Sequence, residues 1–206
     1  VISAGTPTNF NPLALPDTGE NRAFLADWLV RLVSSNGPAP DAEDRAIIVD
    51  AIDANYAQEP SHRRLRYLRE LFRGVRRPNA GDIAARLAAW CDDGENAWLF
   101  DNDTDRLDME TRVCGFDMTN LLASPVTRTP AMMYLFHRIE QRLDGTPSII
   151  VVDEGWKALD DEIFVRRIKD WEKTIRKRNG LVGFCTQNAR DALESHIGPA
   201  IIEQSA

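Results

Sequence analysis

Ile149-Ile150-Val151-Val152-Asp153-Glu154 is the stretch that decides how this chain reads. Four consecutive β-branched residues leave no polar position to face water. They predict a strand buried on both faces, as in parallel sheets. Two carboxylates follow at its C-terminal end, the edge at which open α/β sheets hold ligands. Further on, Leu181 to Cys185 predicts a second apolar strand, leading through Thr186 to Gln187. Between the two, residues 161–178 carry Phe164, Ile168, Trp171 and Ile175 at helical spacing. Strand, helix and strand in that order predict an α/β fold with a parallel sheet covered on both faces.

A strand that ends in Asp-Glu is the Walker B arrangement of nucleotide hydrolases. Asp153 then holds magnesium, usually through a water, and Glu154 polarises the attacking water. Adjacent acids at a strand end also serve as a turn or a helix cap. Gln187, at the tip of the neighbouring strand, can hydrogen-bond a γ-phosphate or the attacking water. Alone it reads as a turn residue, but beside Asp-Glu the pair is more specific. The intervening helix ends in Arg176-Lys177-Arg178-Asn179-Gly180, a helix stop whose cations suit the negative end of the helix dipole. That helix runs antiparallel to the strands, so its end lies away from its own nucleotide. Arg176 or Arg178 therefore reaches a phosphate only in a neighbouring subunit. At 100° per residue Arg178 falls near the apolar stripe and Arg176 on its flank. Arg176 is the candidate for reaching outward, and Arg178 for holding the helix end against the sheet. The phosphate-binding loop G-x-x-x-x-G-K-[ST] is not in the sequence: the lysines are Lys157, Lys169, Lys173 and Lys177, and none follows a glycine.

The rest of the chain is mostly helical in pattern. Residues 1–16 contain Pro7, Pro12 and Pro16 and predict a short strand followed by an extended loop. Four helices are expected between residues 21 and 91. Asn21 or Glu20 opens the first, Asp41 caps the second, Pro60-Ser61 starts the third and Asn79 the fourth. Ala97 to Phe100 and Val113 to Asp117 are strand candidates. Residues 130–143 predict a helix with Met132, Leu135, Phe136, Ile139 and Leu143 on one face. The reading thus divides the chain into residues 1–16, the start of a partial α/β core; 17–95, an all-α subdomain; and 96–206, the core with its Asp-Glu strand.

The 206 residues hold 25 Lys and Arg against 32 Asp and Glu, a net charge of −7. That argues against a broadly basic, nucleic-acid-coating surface. No apolar run approaches the ~20 residues of a membrane-spanning helix. The three cysteines show no metal-like spacing, which points to a reducing compartment, with Cys185 expected as a buried free thiol. Charge is unevenly distributed. Arg63, Arg64, Arg66, Arg69, Arg73, Arg76 and Arg77 cluster in one stretch, whereas residues 92–110 carry eight acids and one Arg. The arginine run reads as a solvated or docking face rather than a nucleic-acid site, and the two stretches are candidates for pairing between subunits.

Three further words carry a resemblance. They are Gly115-Phe116-Asp117-Met118-Thr119, Tyr134-Leu135-Phe136-His137-Arg138-Ile139-Glu140, and Val152-Asp153-Glu154-Gly155-Trp156-Lys157. With Gly180 to Gln187, Gly198-Pro199-Ala200 and the early Gly5-Thr6-Pro7-Thr8-Asn9-Phe10-Asn11-Pro12-Leu13, the chain resembles the energising ATPases of type IV secretion and conjugation systems, the CagE/TrbE class. The resemblance implies a RecA-like P-loop NTPase core of the HerA/FtsK kind, partial here, with an all-α insertion. It implies ATP and Mg2+ as cofactors and a hexamer of like subunits. It also implies other secretion components as partners and a peripheral position on the cytoplasmic face of the bacterial inner membrane. On it, Asp153 and Glu154 match the Walker B pair, Gln187 the family's glutamine and Arg176 its arginine. The phosphate-binding loop is expected ahead of Val1, and the family's chain is expected to continue past Ala206. This piece alone is then expected neither to bind ATP tightly nor to hydrolyse it. The alternatives are a DNA-translocating coupling protein or FtsK/HerA-like motor, and a non-catalytic interaction domain in which Asp153 and Glu154 are structural.

Overall fold

Thr18 opens the first helix, its hydroxyl accepting the N–H of Asn21 at 3.1 Å. In this computed structural model residues 5–74, 82–122, 124–153 and 162–185 are described. The chain divides into two compact units, Val1–Tyr134 and Leu135–Ala206.

The described residues of the first unit are helical or irregular. Helix α1 spans Gly19–Ser34, beginning earlier than the Asn21 or Glu20 start expected from its pattern. Asn21 is instead turned inward, its amide donating to the Pro16 carbonyl at 2.8 Å. Helix α2, Ala42–Tyr56, is capped by Asp41 in a reciprocal capping box with Asp44, as the sequence predicts. Helix α3 covers Leu65–Leu71 after a 3-10 turn at Pro60–His62. Ile83–Arg86 forms α4, and a 3-10 turn at Ala88–Trp90 follows it. The expected start of that helix at Asn79 lies outside the described residues, as do residues 1–4, where the short strand expected within 1–16 would begin.

Two strand expectations fail. Ala97–Phe100 is a single helical turn, α5. Its bonds close locally, Leu99 N–H to Asn96 and Asp101 N–H to Ala97. An apolar run of four residues fits either element by pattern, and local closure decides it. Val113 to Asp117 is irregular and pairs with no described strand; Val113 is 88% exposed. Asp117 instead accepts the Thr119 N–H and leads into α6, Thr119–Leu122.

The core of this unit is aromatic. Phe100 meets Trp28 edge-on at 5.0 Å, lies 6.1 Å from Trp90, and meets Tyr134 at 6.3 Å. The Gly5 to Leu13 word is stapled across it. Thr8 N–H donates to the Trp98 carbonyl at 3.0 Å and its hydroxyl to that of Leu99 at 2.5 Å. Asn11 donates to the Arg63 carbonyl, and Asn102 to that of Phe10.

Among the described residues, arginines of the basic stretch pair with carboxylates of this same chain. Asp101 is wholly buried at its side chain, 3.0 Å from Arg64 and 2.9 Å from Arg66. Arg64 also reaches Asp103, and Arg66 and Arg69 both reach Asp92. Arg63 donates to the carbonyls of Gln58 and Tyr56, and Arg73 pairs with Glu70. Arg76 and Arg77 lie outside the described residues. Burial alone would raise the Asp101 carboxyl. Hydrogen bonds from the Arg66 side chain and from the Asp92 and Arg66 N–H groups, with the Arg64 charge, outweigh it and hold the group below its ordinary value.

In the second unit, strands β1 (Ser148–Asp153) and β2 (Gly180–Cys185) form a parallel pair. Ser148 stands opposite Gly180 and Asp153 opposite Cys185. The crossover between them is helix α8, Glu162–Thr174, continued by a 3-10 turn at Ile175–Arg178. The stripe Phe164, Ile168, Trp171 and Ile175 is buried as its spacing predicts. It packs on α7, Pro125–Arg142, through Phe136, 5.4 Å from Phe164 and 4.9 Å from Trp171. The sheet is covered on one face only among the described residues. Burial alternates along β1, leaving Ile149 73% and Val151 61% exposed, with Leu181 of β2 at 58%. Cys185, expected to be buried, is exposed at the end of β2. No helix among the described residues is long and apolar enough to cross a membrane.

Candidate functional site

Parallel pairing brings the C-terminal ends of β1 and β2 side by side, and Asp153 stands exposed at that edge. Its carboxylate is a hard oxygen donor open to water. That suits magnesium, which keeps several of its own waters and takes few protein ligands. The rest of the set is not assembled by the described residues, which hold no group of three or more His, Cys, Asp and Glu placed for a metal. Glu154 and Gln187 lie outside the described residues.

Arg176 lies elsewhere. It is exposed on the 3-10 turn that precedes β2, at the opposite end of the strand pair from Asp153. Six residues of strand at ~3.3 Å each put about 17 Å between the two ends. The turn is closely determined. Asn179 takes a left-handed conformation at φ 57°, and its N–H bonds the Arg176 carbonyl at 3.1 Å. The Asn179 side chain donates to the Gly145 carbonyl at 3.1 Å. Gly180 lies against Ile175 so closely that a Cβ there would be 2.5 Å from Ile175 Cγ1.

Arg178 turns back toward α7, donating to the Glu140 carbonyl at 3.4 Å. It holds the helix end, but against α7 rather than against the sheet. The Glu140 carboxylate accepts Arg167 Nη1 on both oxygens at 2.8 Å and Trp171 Nε1 at 2.7 Å. One turn earlier on α7, His137 is buried. Desolvation, with Arg167 and Arg138 nearby, brings its pKa down to about 4, so the imidazole is neutral at pH 7. Sequence reasoning missed the role of Glu140. The only signal was its place in the Tyr134 to Glu140 word.

Residues 67–206 match the TraG P-loop domain family. Among individual proteins, the type IV secretion system protein virB4 of Bartonella henselae is 41% identical over 204 residues. That of Brucella suis is 37% identical over 214 aligned positions, and PtlC of Bordetella pertussis 34% over 212. These alignments cover 98–100% of this chain but 26% of each relative, so the chain spans about a quarter of the proteins it matches. In three dimensions it superposes on VirB4 of Thermoanaerobacter pseudethanolicus with a TM-score of 0.63, at 18% identity, over 95% of this chain and 57% of that one. The fold is accordingly the RecA-like α/β fold of that protein, with helical elements added. The strand pair that ends at Asp153 lies inside the matched range, and the chain belongs to the TraG P-loop domain family.

Proposed function

We propose that this chain is part of an ATPase motor that powers type IV secretion, in pilus assembly and conjugative transfer. The observation that carries the reading is β1, a strand ending in Asp153 beside a parallel β2, in a chain 34–41% identical to secretion proteins of three genera. Asp153 holds magnesium through water. Magnesium, when bound, neutralises charge on the β- and γ-phosphate oxygens. Glu154 orients the attacking water and takes up its proton, and Gln187 senses the γ-phosphate. Arg176, about 17 Å along the strands from Asp153, serves the nucleotide of a neighbouring subunit, which requires an assembly of like subunits, the hexamer that the family resemblance implies. The phosphate-binding loop belongs to a preceding part of the longer protein. The protein works with other secretion components on the cytoplasmic face of the inner membrane.

A duplex-pumping motor would draw on the arginine run for DNA contacts. Its five described members are engaged by carboxylates and carbonyls of this same chain. The decisive experiment is Glu154→Gln in the full-length protein. Magnesium-dependent ATP turnover should fall by about 10²- to 10⁴-fold, the usual contribution of a general base, with ATP still bound. Unchanged turnover would remove Glu154 from the reaction.

A further inference from the structure

We propose that Glu140 is the positioning residue for Arg176, gripping α8 from α7 so that the turn carrying the arginine points in one direction. The inference rests on the proposed role of Arg176 in a neighbouring subunit. It gives a use to Phe136 and Glu140 of the Tyr134 to Glu140 word, which the hydrolysis chemistry leaves unused.

The Glu140 side chain holds the second half of α8 at two heights, and the backbone carbonyl of the same residue meets the turn that follows. Its carboxylate, 16% exposed, takes Arg167 on both oxygens at 2.8 Å and Trp171 Nε1 at 2.7 Å. Its carbonyl takes Arg178 at 3.4 Å. Arg167 and Trp171 are four residues apart and so lie on one helix face. Arg178 closes the turn that follows. Phe136, one turn before Glu140 on α7, packs edge-on against the ring of the same Trp171 at 4.9 Å. An aromatic contact and a charged clamp thus act on one side chain. Hydrogen bonds to an ionised acceptor are about twice as strong as neutral ones. Without Glu140, a buried indole N–H would stand unsatisfied.

The clamp matters for direction because the far side of the turn is also held. Asn179 bonds back to the Arg176 carbonyl through its N–H and to Gly145 through its side chain. Arg176 thus sits between two anchors, Glu140 before it and Asn179 after it. A charged group acting across a subunit boundary must arrive within a fraction of an ångström, and a misplacement of about 1 Å costs about 100-fold in rate.

The test uses the full-length assembled protein and measures kcat, KM for magnesium-ATP, affinity for a non-hydrolysable ATP analogue, and thermal midpoint. Arg176→Ala should lower kcat by about 10³-fold, with KM and analogue affinity within about twofold of the parent's. Glu140→Ala should lower kcat by about 100-fold in the same pattern. The double variant should be no slower than Arg176→Ala alone, because both changes remove one unit. Glu140→Gln keeps an acceptor for Trp171 and should recover part of the loss. Should Glu140→Ala fail to fold, Trp171→Phe keeps the ring and removes only the N–H. It should lower kcat without weakening the analogue.

Three outcomes overturn the inference alone: parental kcat in the Glu140 variants, losses that multiply in the double variant, or analogue binding lost together with kcat. If Arg176→Ala keeps full turnover, the reading of Arg176 falls and this inference falls with it.

Discussion

Arg66 closes on Asp101 twice, its side chain donating to Oδ2 at 2.9 Å and its own N–H to Oδ1 at 3.2 Å. The carboxylate also accepts the Asp92 N–H at 2.9 Å and the Arg64 side chain at 3.0 Å. One buried anion therefore joins the start of α3 to the segment that follows α5. Asp101→Ala should destabilise the protein by about 1 to 3 kcal/mol, the usual cost of leaving hydrogen-bond donors without their acceptor, since Arg64 and Arg66 keep Asp103 and Asp92. Denaturant unfolding measures it. The folded carboxyl is held below its ordinary value. Its contribution is therefore fully present above the unfolded value of about 4 and is lost as pH falls through the folded one. Asp101→Asn should flatten that acid limb. An Asp101→Asn protein whose stability fell as steeply below about pH 4 as the parent's would place the acid sensitivity elsewhere.

His137 sets a second pH window. Its folded pKa of about 4 lies below the ordinary 6.5, so between those values the unfolded chain binds more protons than the folded one. Stability should fall by about 3 kcal/mol as pH drops across that interval, at about 1.4 kcal/mol per unit. His137→Gln removes the group that titrates. Its stability should vary less between pH 6.5 and 4 in chemical denaturation, and an equally steep profile would show that the imidazole is not the source.

At Gly180 the prediction is steric. A methyl group there meets Ile175 Cγ1 at 2.5 Å, and nothing short of movement relieves it. Gly180→Ala should cost about 1 to 3 kcal/mol, as overpacking does. Ile175→Ala makes room, so the pair of substitutions should cost less than the sum of the two. A strictly additive double variant would argue that the two sites do not touch.

Thr8 is predicted to matter through its hydroxyl. That group donates to the Leu99 carbonyl and accepts the Phe10 N–H at 3.0 Å, tying the early Thr-Pro-Thr-Asn-Phe-Asn segment to α5. Thr8→Val keeps the shape, loses both bonds and takes away the acceptor of the Phe10 N–H, while the Leu99 carbonyl still accepts from Asn102 at 3.3 Å. A loss of about 1 to 3 kcal/mol is expected, read from thermal unfolding. A smaller cost for Thr8→Ser would show that the hydroxyl, not the methyl, is responsible.

Legibility in the sequence followed the strength of the local signal. The stripe Phe164, Ile168, Trp171 and Ile175 spans several turns, and all four side chains are under 5% exposed. Asp41 as a cap was equally legible, because a cap bonds within a few residues of itself. Ala97–Phe100 was not, since four apolar residues carry no period. The exposed face of β1 escapes the sequence for a related reason. A run of β-branched residues states that the strand is apolar, but only neighbours decide whether Ile149 and Val151 are covered. At the candidate site, sequence marked Asp153 and Arg176. The parallel register sets them at opposite ends of the strands, as the antiparallel course of the intervening helix predicts.

By itself the sequence determined the strand–helix–strand order, the acidic end of β1, the helix stop at Asn179 and the family word list, all carried by residues close together in the chain. Tertiary structure decided the partners of the charges. Arg64, Arg66 and Arg69 meet carboxylates 23 to 39 positions away, and Glu140 meets Arg167 at a separation of 27. A charge attracts any opposite charge within reach, and only the packed helices bring one particular carboxylate there and, at Asp101 and Glu140, exclude most of the water that would otherwise screen it.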